Sequence, residues 1–367
     1  MVFVMAAGGT GGHVWPAVAV ARELRRRGHQ AVFVGRRGGL EERLAPAEGF
    51  ELEFIEISGL KRVGLVKQLR TLWQLPSSTF RALGLLKRRR AAAVFSMGGY
   101  VAGPVCLAAW LLGVPLVVLE PNAVPGLTNR WTGKVAARIL LNFAEAARHF
   151  PADRSELSGV PVREEFFRLA AKPPGEWFDV LVTGGSQGSR RLNEAARQSW
   201  PLFRASGLRV RMTLQTGPAF YAELAREFAQ AGLPGAVTPF IEDMAGALSG
   251  ADLVVCRAGA GALAELAAAG KPAVLVPFPF AADQHQLRNA EALVRAGAAR
   301  LVLDREMNGQ RLYREVRELA ERPERLESMA RAVREFARPQ AAERAAEALL
   351  RAARGVGLDR EAGQSKQ

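Results

Sequence analysis

Twice in this sequence, about half a chain apart, a short apolar run leads straight into a glycine-rich loop and then into a helical pattern. The first instance is Val2-Phe3-Val4-Met5 followed by Gly8-Gly9-Thr10-Gly11-Gly12-His13. The second is Val180-Leu181-Val182-Thr183 followed by Gly184-Gly185-Ser186-Gln187-Gly188. In such a loop no Cβ blocks the approach to the backbone, so N–H groups and a helix N-terminus converge on an anion, and the helix dipole favours negative charge. The first loop lacks the Gly-Lys-Ser/Thr ending of a P-loop, and neither spaces its glycines as G-x-G-x-x-G. A plain ATPase or dehydrogenase is therefore disfavoured. One such loop reads equally well as a tight strand-to-helix turn, whereas two of them favour a pair of phosphate-handling domains.

Runs rich in Val, Leu, Ile and Phe recur at 2–5, 31–34, 94–96, 116–119, 138–141, 180–183, 210–214, 253–256 and 273–277, separated by longer helical patterns. Strands without polar alternation are buried on both faces, as in parallel sheets. The predicted class is α/β, with two doubly wound Rossmann-like domains. At 367 residues the chain exceeds what one core supports. The seam is expected near Gly159-Val160-Pro161-Val162, followed by the polar stretch Lys172-Pro173-Pro174-Gly175. This gives domains at 1–162 and 163–339, with a closing helix and tail at 340–367. Both glycine loops follow strand ends, where ligands of such sheets bind, so the two domains are expected to face each other across a cleft.

The formal charge of +14 calls for an anionic partner: nucleic acid, an anionic membrane or a phosphorylated substrate. Two cysteines, Cys106 and Cys256, each inside an apolar run, read as buried thiols in a reducing compartment. The opening residues read as a strand and not as a secretion leader. Residues 98–119 are uncharged over a length that spans a bilayer, but Gly103-Pro104 and Gly113-Val114-Pro115 divide them into a helix and a strand.

A third segment, Cys256-Arg257-Ala258-Gly259-Ala260-Gly261-Ala262-Leu263-Ala264-Glu265, ends a strand, leaves the backbone open with small residues and begins a helix. It suits a diphosphate at the helix N-terminus with Glu265 one turn on as a ribose ligand, or Glu265 serves only to compensate the dipole. Downstream, Asp283-Gln284-His285-Gln286-Leu287-Arg288-Asn289 crowds polar side chains into a loop-to-helix entry. Amides both donate and accept, which suits sugar hydroxyls, although Asp283 also reads as an N-cap.

Several segments resemble the MurG family of bacterial cell-wall enzymes, in order over nearly the whole chain. They are Gly8 to His13, Met97-Gly98-Gly99-Tyr100-Val101-Ala102-Gly103-Pro104, Glu120-Pro121-Asn122, Gly126-Leu127-Thr128-Asn129, Pro161-Val162-Arg163, Gly184 to Gly188, Phe240-Ile241-Glu242-Asp243-Met244 and Asp283 to Asn289. The resemblance implies a GT-B glycosyltransferase that moves N-acetylglucosamine (GlcNAc) from UDP-GlcNAc onto undecaprenyl-diphospho-muramoyl-pentapeptide, turning lipid I into lipid II. It implies Thr10, Gly11, Gly12 and Asn122 near the donor sugar, Gln286 on its hydroxyls, Ser186 on the diphosphate and Ile241 with Arg163 near the uridine. Ala260, Gly261, Ala262, Leu263, Ala264 and Glu265 would form the donor loop, and Gly98, Gly99 and Tyr100 would meet the acceptor diphosphate. Pro121, Val160 and Ala258-Gly259-Ala260-Gly261-Ala262 stand where the family usually has Gln, Asn and Ser-Gly-Ala-Leu-Thr. The implied location is the cytoplasmic face of the plasma membrane, with other cell-wall synthesis and division proteins as further partners.

No Asp-x-Asp motif follows a strand, and the nearest approach, Asp304-Arg305-Glu306, lies beyond the matched motifs. The expectation is a reaction needing neither metal nor cofactor, in which helix N-termini and Arg163 stabilise the leaving UDP. Inversion requires a base on the acceptor hydroxyl. His13, at a helix N-terminus that keeps imidazole neutral, is the first candidate, though it also reads as a donor that orients phosphate; Glu120 is the second.

Residues 57–119 contain no acid but carry nine positive charges, among them Lys61, Arg62, Lys67 and Arg70, interleaved with apolar residues including Leu72 and Trp73. This reads as a basic amphipathic surface on anionic lipid, or as a core-facing helix with a solvated charged face. Two alternatives remain. UDP-GlcNAc 2-epimerases bind the same donor between similar domains, and an inactive membrane or nucleic-acid adaptor would also fit the charge. The absence of zinc spacing and of clustered base-stacking aromatics argues against nucleic acid.

Overall fold

The computed structural model describes residues 1–8, 11–56, 65–170, 172–173 and 175–364, and for 65–73 and 356–364 it gives the backbone course alone. Thr10, Lys61 and Arg62 lie outside the described residues, as do the side chains of Lys67, Arg70, Leu72 and Trp73. The chain divides into two compact units, residues 1–162 with 338–367, and residues 163–337.

In the first unit β1 (Val2–Ala6), β2 (Gln30–Gly35), β3 (Glu51–Phe54), β4 (Ala91–Ser96), β5 (Leu116–Glu120), β6 (Arg138–Leu141) and β7 (Ser155–Leu157) form one sheet, ordered β3-β2-β1-β4-β5-β6-β7. Every pairing is parallel, with Val4 of β1 in register between Val32 and Val94. Phe3, Val4, Met5, Phe95 and Leu119 have no exposed surface, as expected of strands covered on both faces. The covering helices are α1 (Gly11–Arg26), α2 (Leu40–Ala47), α3 (Leu65–Arg88), α4 (Gly99–Leu111) and α5 (Leu127–Thr132). The uncharged stretch 98–119 resolves into α4 and β5, separated at Gly113, whose φ of +65° stops the helix. Among the described residues no helix is long and apolar enough to cross a membrane.

The second unit repeats the plan. Strands β8 (Phe178–Thr183), β9 (Val210–Gln215), β10 (Gly235–Thr238), β11 (Leu253–Cys256), β12 (Ala273–Leu275) and β13 (Ala299–Leu301) pair in parallel in the order β10-β9-β8-β11-β12-β13. Around them lie α6 (Arg190–Ser206), α7 (Tyr221–Ala231), α8 (Met244–Gly250), α9 (Ala260–Ala269), α10 (His285–Arg295), α11 (Gly309–Ala320) and α12 (Pro323–Arg334). Trp200 and Phe203 of α6 anchor this core, meeting Phe228 and Tyr313 edge-on with ring centroids 5.1 Å apart in each pair. In the polar stretch after the expected seam, Lys172 bridges Asp179 and Asp252 and donates to Trp177 O.

The last helix, α13 (Ala341–Gln364), returns to the first unit and packs on α1 and on β4 to β6. Ala345, Ala346 and Leu349 are fully buried there. Helical backbone continues through Gly355, Gly357 and Gly363 to Gln364, where the sequence reads as a frayed tail from Gly355 on. Cys106 and Cys256 are free and buried, burial pushing their thiols up to about 11 and about 12.

Candidate active site

In both sheets the winding reverses beside the first strand, between β1 and β4 and between β8 and β11. Beyond the carboxyl ends of such strand pairs lies the crevice where open α/β sheets bind ligands. The first glycine loop follows β1, and the Gly98-Gly99 turn follows β4. The second glycine loop follows β8, and Arg257-Ala258-Gly259 follows β11.

In the first unit, the two loops meet at His13. Its Nδ1 lies 3.4 Å from Gly8 O, and a Cβ on Gly99 would sit 3.7 Å from the same nitrogen. A carbonyl only accepts, so this contact selects the tautomer protonated at Nδ1 and places the ring's lone pair on Nε2. Gly11 and Gly12 open α1 in the turn that carries His13, with Gly12 exposed. Gly98 and Gly99 both have positive φ (+76° and +80°), which lets the turn double back into α4. Tyr100 follows with its ring 5.7 Å from the Arg36 guanidinium.

Glu120 ends β5 and is 1 % exposed. Asn122 donates to its Oε1 through the backbone N–H (2.9 Å) and Nδ2 (3.1 Å). The Gly126 N–H (3.2 Å) and Asn129 Nδ2 (2.9 Å) donate to Oε2. Burial pushes the carboxyl up to about 7 against the pull of these donors. Glu120 thus organises the 121–129 turn, and Asn122 is engaged with it. Asn142 secures two of the positions that depart from the pattern the sequence resembles: its Nδ2 donates to Pro121 O, and its Oδ1 accepts from the Val160 N–H. A second carboxylate does comparable work on the other side of β1. Glu41 is fully buried and accepts from the Arg36 N–H at 3.0 Å, and Cβ atoms on Gly8, Gly35 or Gly39 would lie within 2.6 Å of its side chain. Sequence reasoning missed Glu41; its signal was a further glycine-rich turn, Gly35 to Gly39, after β2.

In the second unit, the loop after β8 is held by side chains. Thr183 Oγ1 accepts from the Gly185 N–H and donates to Gln215 Oε1, while Gln215 Nε2 donates to Gly185 O. The glycines here do different jobs. A Cβ on Gly188 would lie 1.8 Å from Thr216 O, so Gly188 is required by backbone packing. Gly185 has a φ of +84° and open space before it, beside exposed Ser186. Ser189 caps α6 by accepting from the Leu192 N–H.

Arg257, quoted in the sequence reading but given no role, joins these pieces. Its Nη2 donates to Ser189 Oγ (2.7 Å) and its Nη1 to Val276 O (3.0 Å) and Pro277 O (3.3 Å). Nη1 also pairs with Asp304 at 2.6 Å. One guanidinium thereby links the ends of β8, β11 and β12 and the segment after β13. Its charge next to β11 and its position before a run of small residues were the legible signals.

Ala260, Gly261, Ala262, Leu263 and Ala264 form the opening turns of α9, whose N-cap Gly259 makes no side-chain cap bond. Glu265 stands one turn on, half-buried. Burial pushes its carboxyl up to about 7, with Arg163 pulling it down and Glu165 raising it to lesser extents. Arg163 itself pairs with Glu165 at 2.9 Å and lies over the Phe166 ring. Gln286 Oε1 accepts from the Phe278 N–H at 2.9 Å, which fixes the amide's orientation. Just before it Asp283 and Gln284 hold φ of +49° and +55°, strain of the kind concentrated at binding loops. Ile241 is half-buried after β10, beside half-exposed Phe240. Among the described residues no three of His, Cys, Asp and Glu gather as a metal site would require.

Two Rossmann-like units with built loops at both switch points define a GT-B glycosyltransferase architecture. The glycosyltransferase family 28 N-terminal domain matches residues 3–141, and the family 28 C-terminal domain matches 179–345. The UDP-N-acetylglucosamine--N-acetylmuramyl-(pentapeptide) pyrophosphoryl-undecaprenol N-acetylglucosamine transferase of Solibacter usitatus is 56% identical over 352 residues, 96% of each chain. The crystal structure of Acinetobacter baumannii MurG superposes with a TM-score of 0.80 at 34% identity, over 95% of this chain and 99% of that one. A UDP-GlcNAc 2-epimerase from Neisseria meningitidis, bound to UDP-GlcNAc, reaches a TM-score of 0.66 at 15% identity over 95% and 99%, a likeness of fold alone. The chain belongs to glycosyltransferase family 28 and, within it, to the MurG family.

Proposed function

We propose that the protein transfers GlcNAc from UDP-GlcNAc to undecaprenyl-diphospho-MurNAc-pentapeptide, lipid I, to form lipid II in peptidoglycan synthesis. The observation that carries this reading is the 56% identity to a transferase so named, over 96% of each chain. In the second unit the diphosphate meets Ser186 and the N-terminus of α6, ribose hydroxyls donate to Glu265, uracil lies near Ile241 and Arg163, and Gln286 reads the sugar. In the first unit the N-termini of α1 and α4, with Gly98, Gly99 and Tyr100, receive the acceptor diphosphate. His13 takes the acceptor hydroxyl proton through Nε2 while Glu120 holds the neighbouring turn. Displacement is in line and inverting, and helix N-termini with guanidinium charge stabilise the leaving UDP in place of a divalent cation.

The acceptor's lipid tail brings the first unit to the membrane. α4 packs against both α3 and α5, and these helices with the turn after α5 expose Phe80, Trp110, Leu111, Leu127, Trp131 and Val135. Lys134 covers the Trp131 ring at 4.3 Å. Three charges of the basic stretch are answered at home: Arg81 pairs with Glu56, and Arg88 and Arg89 pair with Glu53. The apolar set therefore carries more of the docking, at the cytoplasmic face of the plasma membrane, than formal charge suggests.

The test is a transfer assay with radiolabelled UDP-GlcNAc and a lipid I analogue in excess EDTA. Acceptor-dependent formation of the disaccharide product is expected. Conversion of UDP-GlcNAc to its C2 epimer without acceptor would overturn the reading in favour of an epimerase, and loss of turnover in EDTA restored by magnesium would overturn the metal-free step.

A further inference from the structure

The N-terminus of α6 carries positive charge against the helix dipole. An acid in a helix's first turn is stabilised by the dipole, and a base is not. α6 instead opens with exposed Arg190 and Arg191 and has no acid there. Arg257 adds a third guanidinium through its bond to the capping Ser189. The carboxylate that answers them comes from the far edge of the sheet: Asp304, 16% exposed, lies 2.6 Å from Arg257 Nη1 and 3.6 Å from Arg191 Nε. Asp304 opens the Asp-x-Glu sequence that looks most like a metal motif, and here its partners are two arginines.

We propose that Asp304 is a counter-charge that sets how tightly the donor site holds diphosphate, and through this the release of UDP. The inference rests on the reading that the diphosphate binds at α6. Transfer breaks the bond between the anomeric carbon and the β-phosphate oxygen, and the electron pair stays on that oxygen. UDP thus leaves carrying one more negative charge than the diphosphate of UDP-GlcNAc. A site with three arginines would hold the product more tightly than the substrate, and Asp304 moderates that difference. Its removal changes charge more than geometry, because Arg257 keeps its bonds to Ser189, Val276 and Pro277.

The experiment is calorimetric titration of uridine, UDP and UDP-GlcNAc into the full chain and two variants. Asp304→Asn is expected to bind UDP on the order of three- to tenfold more tightly, UDP-GlcNAc by a smaller factor and uridine unchanged, the gain shrinking at high salt. Arg191→Gln, at an exposed position, is expected to shift UDP the opposite way and leave uridine unchanged. A damaged fold weakens ligands, so tightening is not a consequence of misfolding. Unchanged or weaker UDP binding in Asp304→Asn, or UDP binding unaffected in Arg191→Gln, overturns the proposal. If the unaltered protein binds uridine and UDP equally well, the diphosphate is not at α6, and the reading on which the proposal rests falls with it.

Discussion

The two units share one winding order but anchor their switch points with opposite charge. In the first unit buried carboxylates gather N–H donors: Glu41 beside the loop after β1 and Glu120 beneath the turn after β5. In the second a half-buried guanidinium, Arg257, gathers carbonyls and a hydroxyl. On the proposed reading, the first arrangement, with the His13 imidazole at Gly8 O, serves activation of a hydroxyl, and arginine at a helix N-terminus serves a departing diphosphate. If that reading holds, one fold supports two halves of a reaction by reversing the sign of its internal anchor, and the division of labour can be tested unit by unit.

The largest expected effect separates glycines that pack from glycines that bind. Gly188→Ala drives a Cβ onto Thr216 O and should destabilise the second unit by on the order of 3 kcal/mol or more, whereas Gly185→Ala, in open space, should cost about 1 kcal/mol from its φ alone. Denaturant unfolding of the two variants checks this, and equal losses would remove the distinction.

Next comes the carboxylate anchor. Glu120 has a folded pKa raised to about 7 from 4.5, so its contribution is fully present below about pH 4.5 and is lost as pH rises through 7. Unfolding free energy of the unaltered protein should therefore fall between those limits by about 3 kcal/mol more than that of Glu120→Gln. Parallel pH profiles for the two proteins would contradict the assignment.

The smallest effect concerns Glu265, raised to about 7 in the other unit. Ribose hydroxyls prefer the carboxylate, so uridine affinity should rise with pH through 7 by up to about tenfold and flatten in Glu265→Gln. Uridine has no phosphate to titrate, and a flat profile in the unaltered protein would count against the ribose role.

What the sequence makes legible follows the same physics. The nine apolar runs all became strands, because interior parallel strands are buried on both faces and show it in composition. The four strands without such runs, β3, β7, β10 and β13, are the edges of the two sheets. Glu51-Leu52-Glu53-Phe54 and Gly235-Ala236-Val237-Thr238 are partly exposed and lack the pattern. Loop positions were visible because glycine is needed where backbones approach. The anchors left only indirect signals, the glycines around Glu41 and the small residues after Arg257, since a charged residue's identity does not tell a paired anchor from the many charges at the surface. That His13 would face Gly99 required two helices to meet, which no local pattern encodes.

The central claim is that donor binding belongs to the second unit and proton removal to the first. The most direct measurement pairs UDP calorimetry with lipid II formation for His13→Ala and Glu265→Ala. His13→Ala should lower kcat by roughly 10²–10⁴-fold with UDP affinity nearly retained. Glu265→Ala should weaken UDP by about 1.5–3 kcal/mol, the value of hydrogen bonds to a charged group. If UDP affinity in His13→Ala fell as far as its rate, or stayed unchanged in Glu265→Ala, the division between the units would be contradicted.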